Sequence, residues 1–375
     1  MIRADPLSIT PLIGAAFDYS SNPYLIVGGH SVSDEALLLN APTQYDLDST
    51  HFALVPSVRY SDSGSYASLN SNYLHVSASG QYLTDVDSFT LTGSYGIDSS
   101  LYQNGLTSGG VGVRSDSSTI GLDWQRSITE RSQVELDTSW SKDLYGQSAL
   151  SAGLVNYRYL SVDGVFNYQV TERDKLKLLA GGGGYQALDG LTKSRNDDLQ
   201  LGFERRLTEI CTFSATVGYA KSDNTESVYY GPYLLETIRS EQKGPVYSAT
   251  LVRQGQLTTL TASVSRAYRP SGFDYLSRQD LVSLVLGYIR SERWSFGAEG
   301  DFARTATPDV MGVTTEERYY SGKLSARWNW MSQWVVALQA TWVKLTYESS
   351  TSPSANPQST GVTLQITRQF LRTDL

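Results

Sequence analysis

The sequence predicts an all-β fold: a transmembrane antiparallel outer-membrane β-barrel of roughly 16–18 strands, with short periplasmic turns and long extracellular loops. Three observations carry this. Segments in which apolar and polar residues alternate recur almost from end to end. The gaps between them are short and long by turns. No apolar run approaches the roughly 18–20 residues a membrane-crossing helix needs, and no 3.6-residue pattern of useful length competes.

The alternating segments cover residues 9–19, 51–61, 74–83, 88–98, 117–127, 133–142, 157–169, 174–185, 197–207, 210–221, 245–254, 257–268, 279–290, 293–303, 318–330, 333–346 and 359–370. Each is near the length that crosses a bilayer at a tilt. In the stretch 118–140, Ile120, Leu122 and Trp124 alternate with Gly121, Asp123 and Gln125. After a polar break, Val134, Leu136 and Trp140 alternate with Glu135, Asp137 and Ser139. Short gaps lie at 128–133, 170–175, 207–210, 253–257, 290–294 and 330–334. Longer polar ones lie at 99–116, 143–156, 186–196, 222–244, 304–317 and 347–358. A water-soluble sandwich has no physical reason to sort its loops by length onto opposite ends, whereas an outer-membrane barrel does. A short strand at 65–73 brings the count to eighteen, the preferred number. Sixteen follows if residues 1–50 are periplasmic. Residues 1–375 form one barrel domain, with residues 1–8 as a periplasmic tail.

The two faces of these strands differ in chemistry. The apolar phase is expected to meet lipid. Its tryptophans, Trp124, Trp140, Trp294, Trp328, Trp330, Trp334 and Trp342, are expected at the membrane interface, where amphipathic rings settle. The composition agrees, with 25 Tyr and 7 Trp against 10 Phe. The polar phase is expected to line a lumen through Arg59, Asp123, Glu135, Asp137, Asp163, Lys175, Lys177, Glu204, Arg206, Glu299, Asp301, Lys323 and Arg327. This near-balance of signs predicts at most a weak cation preference.

Other function classes find little support. The net charge of −8 argues against a nucleic-acid partner. A single cysteine, Cys211, excludes an intramolecular disulfide and a cysteine metal cluster. It shares its phase with Phe213, Ala215, Val217 and Tyr219, as a small hydrophobe would. "AGGGGYQ" (180–186) lacks the Lys-Ser/Thr of a phosphate loop, so its glycines are expected to let a strand bend or pack closely. "GGVGV" (109–113) reads as loop, and Asp197–Asp198 as a solvated loop end. Neither cofactor nor metal is expected. His51 and His75 have serine and aspartate neighbours, which leaves a barrel-embedded hydrolase as a minor alternative. Residues 1–50 are too few for the plug of a TonB-type transporter. "MIRADPLSIT" has no apolar stretch behind its arginine, so the expectation is a mature chain of the bacterial outer membrane, its signal peptide removed.

Several short motifs together resemble the β-barrel porin type 2 family of Gram-negative outer-membrane proteins. They are "FDYSSNPYL" (17–25), "YGIDSSL" (95–101) and the turns Thr129–Arg131, Thr171–Arg173 and Thr208–Ile210, the last departing from the Thr-Glu-Arg pattern. The terminal "GVTLQITRQF" also resembles the last strand of outer-membrane barrels, although Arg368 interrupts its apolar phase and "LRTDL" extends past Phe370. The resemblance implies a pore associated with exopolysaccharide export, with a periplasmic export partner and no catalytic residues.

The expected function is therefore an outer-membrane channel, not an enzyme, in contact with outer-membrane lipid and passing hydrophilic solutes. The alternative is a closed structural or partner-binding barrel. The aromatic stretch 225–244 is expected to be a loop that either folds into the lumen or offers a sticky outer surface.

Overall fold

The computed structural model describes the chain apart from residues 1–6, 24, 26–28, 63–71, 100–113, 147–153, 231–232, 271–275, 309–313, 350–351, 372 and 375. The strands are β1 (Leu7–Ile9), β2 (Leu12–Ser20), β3 (Val32–Asn40), β4 (Thr43–Leu47), β5 (Thr50–Asp62), β6 (Tyr73–Leu83), β7 (Asp87–Ser99) and β8 (Arg114–Thr129). There follow β9 (Ser132–Tyr145), β10 (Tyr157–Gln169), β11 (Asp174–Ala187), β12 (Thr192–Thr208), β13 (Cys211–Tyr230), β14 (Tyr233–Gln254) and β15 (Thr258–Pro270). The last are β16 (Leu276–Ile289), β17 (Trp294–Pro308), β18 (Thr314–Met331), β19 (Trp334–Ser349), β20 (Ser352–Ala355), β21 (Gln358–Gln369) and β22 (Thr373–Asp374). The described residues contain no helix.

Strands β2, β3, β5 to β19 and β21 pair antiparallel in chain order and close an 18-strand barrel. Closure runs from Leu12 opposite Gln369 to Ser20 opposite Gly361, so the wall has no open edge at this seam. The eighteenth strand is β3, which sequence alternation passed over. The segment 65–73 expected in its place lies almost wholly outside the described residues, and Tyr73 opens β6. β3 was hidden because Leu37, Leu38 and Leu39 form a continuous apolar run. In the wall, Leu37 and Leu39 point outward and are exposed, while Leu38 lies on the other face. Residues 1–50 are accordingly not a periplasmic tail, since they supply β2 and β3.

Three short strands continue the seam beyond its short-turn end. β1 pairs with β4 and with β22, so Leu7–Ile9 is a strand and not part of a tail. The breaks fall at Pro11 and Pro42, residues that cannot donate to a ladder. Neighbouring amides still use their carbonyls: Phe370 N donates to Pro11 O at 2.9 Å, and Thr10 N to Pro42 O at 2.9 Å.

The apolar phase points outward. Leu201, Leu324 and Val217 are 65%, 64% and 63% exposed, and they belong to a band running around the wall. A water-soluble surface does not carry an apolar band of that extent. Aromatic rings edge it. Near the short turns, Trp294 stacks on Trp328 with centroids 5.7 Å apart, and Trp328 meets Trp330 at 6.1 Å. Arg368 lies over the rings of Trp334 and Phe370, which accounts for a cation in the apolar phase of the last strand. Eight positions along β19 from Trp334 lies Trp342, 41% exposed. At about 3.3 Å per residue and about 40° of tilt, the girdles stand about 20 Å apart.

Candidate functional site: the lumen and an inward-bent hairpin

Because the apolar phase faces out, the alternate phase faces the lumen. All thirteen charged residues predicted to line it occupy that phase in the strands. Their pairing is uneven. Lys177 Nζ lies 2.6 Å from Glu204 Oε2, with Lys175 3.6 Å from the other oxygen. Lys323 pairs with Glu299, and Ser321 donates to Asp301 at 3.0 Å. Arg59, 7% exposed, pairs with Asp18 and, at 3.2 Å, with Asp34. These two aspartates were not among the predicted residues. The signal for Asp18 was available, since it shares a phase with Gly14 and Ala16 opposite Phe17 and Tyr19.

One cross-strand row on β8 to β12 carries charges of a single sign. Asp123 stands opposite Asp137, and Asp137 opposite Asp163. The next position in that row is Gly181, followed by Asp198. A Cβ on Gly181 would fall 2.2 Å from the Asp163 carboxylate and 2.9 Å from that of Asp198, so the glycine gives both room. Gly183 does the same for the Tyr159 hydroxyl and Asn196. Close packing, one of the two roles expected of the "AGGGG" stretch, is thus filled by the inner sides of these two glycines. Asp198 is not a loop end: it and Asp197 lie on opposite faces of β12, and Asp197 pairs outward with Arg195 at 3.0 Å. Nearby, Glu135 accepts hydrogen bonds from Gln125 at 3.2 Å and Asn167 at 2.7 Å. Like charges placed opposite each other destabilise a sheet, so this row costs stability and needs a reason other than folding.

The stretch 225–244 is not an inward loop. Apart from 231–232 it is strand, and β13 pairs with β14 from Cys211–Arg253 out to Tyr230–Tyr233. This hairpin extends the wall past the outer girdle. Its outward face is charged, with Lys221 between Asp223 and Glu241 and Lys243 on Glu241. The hydrogen bond from Lys243 holds the Glu241 carboxyl below its ordinary range, and that to Asp223 raises Lys221.

The segment that enters the lumen is the β15–β16 hairpin. β14 pairs with β15 only from Gln254–Thr259 to Tyr247–Arg266. Beyond lie Gly244 and Pro245, and proline offers no amide to continue the ladder. Past Arg266 the hairpin leaves the wall and leans inward. Tyr268 packs on Ala220 and Val246. Leu276, fully buried, packs against Tyr157, Tyr185 and Ala187 of β10 and β11, six and five strands away around the wall. Such contact between distant strands is possible only across the lumen. The hairpin's second arm also buries Ser277 and Gln279.

His51 Nδ1 lies 2.9 Å from Asp46, an exposed pair on the β4–β5 extension, and His75 packs its ring on Tyr73. Among the described residues no group of His, Cys, Asp and Glu could hold a metal ion.

No family model matches the sequence, and no curated protein matches it. Among solved structures, the chain is similar to OccK2 (OpdF) of Pseudomonas aeruginosa, with 12% identity over 97% of this chain and 98% of that one, and a TM-score of 0.47. It is similar to the ferric citrate transporter FecA, with 8% identity over 96% and 78% and a TM-score of 0.49. It is also similar to the copper transporter OprC, with 10% identity over 98% and 83% and a TM-score of 0.47.

Proposed function

We propose that this chain is an outer-membrane channel for hydrophilic solutes, oriented with its long loops outside the cell. The observation that carries this reading is the closed wall of 18 strands, apolar outside and polar inside. A wall of that size leaves an aqueous lumen unless something fills it. The β15–β16 hairpin narrows the lumen by packing on β10, β11, β13 and β14, and the Asp123–Asp137–Asp163–Asp198 row runs across β8 to β12 of the same wall. Most basic lumen residues are neutralised by partners, whereas among the described residues that row has no ion pair, and Asp198 accepts only from the neutral Gln200 amide at 2.7 Å. The channel therefore prefers cations more strongly than the near-even count of charges suggests. The work is filtering by size and charge, with no bond made or broken.

The specific cargo under this reading is a hydrophilic polymer such as an exopolysaccharide, in keeping with the resemblance of the sequence motifs. A periplasmic export partner would meet the short-turn end, where β22, β1 and β4 extend the seam.

Planar-bilayer recording of the detergent-folded protein tests the channel. Steps of fixed size with a cation-selective reversal potential are expected. Insertion without steps would favour the second reading, a closed barrel, which the inward hairpin makes specific. Deleting the gene without loss of surface polysaccharide would remove the polymer cargo and leave a general channel.

A further inference from the structure

Beneath the inward hairpin, the wall is polar where a permanent plug would need it to be apolar or matched. Ser194 stands opposite Asn224, and Asn196 opposite Ser222, on β12 and β13. Ser222 in turn stands opposite Gln242, and Asn224 opposite Ser240, on β14. Ser222, Asn224 and Ser194 are 0%, 3% and 4% exposed. Yet Ser194 Oγ, Ser222 Oγ, both amide atoms of Asn224 and Gln242 Nε2 have no hydrogen-bond partner among the described residues. Native interiors satisfy nearly all buried polar groups, and a half-satisfied polar patch is worse than an apolar one. A cluster of five such atoms on three adjacent strands leaves hydrogen-bonding capacity that the described arms of the hairpin do not use.

We propose that this patch is a subsite for an uncharged, hydroxyl-rich solute, a carbohydrate segment, which binds when the hairpin arms move aside. The proposal rests on the channel reading and adds a binding site for its cargo. The unsatisfied groups include donors and acceptors, all neutral. A hydroxyl group does both and matches them, whereas an ionic ligand would find no counter-charge on these residues. The rings of Tyr157 and Tyr185, 5.1 Å apart, border the same inner surface and supply apolar faces. The hairpin is held over the patch chiefly by Leu276 on those rings and by Tyr268 on Ala220 and Val246.

Two variants of the full chain move the proposal in opposite directions. Leu276→Ser removes the anchor. Ser222→Ala with Asn224→Leu makes the patch apolar and suits the hairpin better. The measurement is block of the ion current by a neutral glucose oligomer in planar bilayers, with each protein's folding checked by its heat-dependent gel mobility. Leu276→Ser is expected to raise conductance and tighten the block about tenfold, and the double variant to weaken the block about tenfold. Equal block in wild type and both variants would overturn the subsite, as would equal loss of block by a charged oligomer. If no variant conducts, the channel reading fails separately. Calorimetric binding of the same oligomer in detergent then decides: binding by Leu276→Ser and not by the double variant supports the subsite, and no binding by either removes it.

Discussion

The two sides of β14 meet different neighbours. On one side it pairs with β13 along the whole hairpin, from Arg253 out to Tyr233. On the other it pairs with β15 only up to Tyr247. The same strand thus builds a continuous wall on its left and an opening on its right. The local cause is Gly244–Pro245. On the β13 side the strand simply extends; on the β15 side the missing amide ends the ladder, and the next hairpin turns inward. Wall or constriction is decided by two residues and not by overall hydrophobicity.

The largest test of this contrast is to restore the ladder. Pro245→Val should let β15 continue along β14 and draw the hairpin out of the lumen, raising single-channel conductance several-fold; an unchanged conductance would mean the proline follows the bend and does not cause it. Next is the acidic row on the lumen wall. Asp137→Asn with Asp163→Asn should move the reversal potential toward zero and, by removing opposed like charges, stabilise the wall by roughly 0.2–1 kcal/mol per pair. A greater cation preference after neutralisation would show that the row does not face the permeating ions.

The continuous side should be sensitive to backbone spacing. A Cβ on Gly218 would fall 2.1 Å from the Leu199 carbonyl oxygen, so Gly218→Ala should cost about 1–3 kcal/mol in urea unfolding. Gly184 has nothing within 4 Å of its Cβ position, and Gly184→Ala should stay within about 0.5 kcal/mol. The reverse order of costs would sink the spacing argument. The smallest effect belongs to the exposed ion pairs at the top of β13–β14. Glu241 has a lowered pKa, so its contribution is present above the ordinary carboxylate range and fades as pH falls through the lowered value. Lys221 has a raised pKa, so its contribution is lost only in strong base. Limited proteolysis of the hairpin should therefore be flat through neutral pH and rise only in acid or strong base.

Much of this was legible in the residues. Period-two alternation showed which face is apolar in every wall strand but β3, because successive side chains point to opposite sides whatever the strand pairs with. The length-sorted gaps announced an up-and-down barrel. The tryptophans could be read into the apolar phase, and residues such as Asp123 and Lys323 into the polar one, from their neighbours' hydrophobicity. Tertiary structure alone decided the rest. β3 could not be seen, because a leucine run has no period of its own. That Asp137 stands between Asp123 and Asp163 depends on register, which pairing sets and composition does not. That Leu276 reaches Tyr157 and Tyr185 depends on closure of the barrel, which brings strands distant along the wall face to face across the lumen. Alternation is a property of one strand, but a constriction is a relation between strands that are neighbours neither in sequence nor in the sheet.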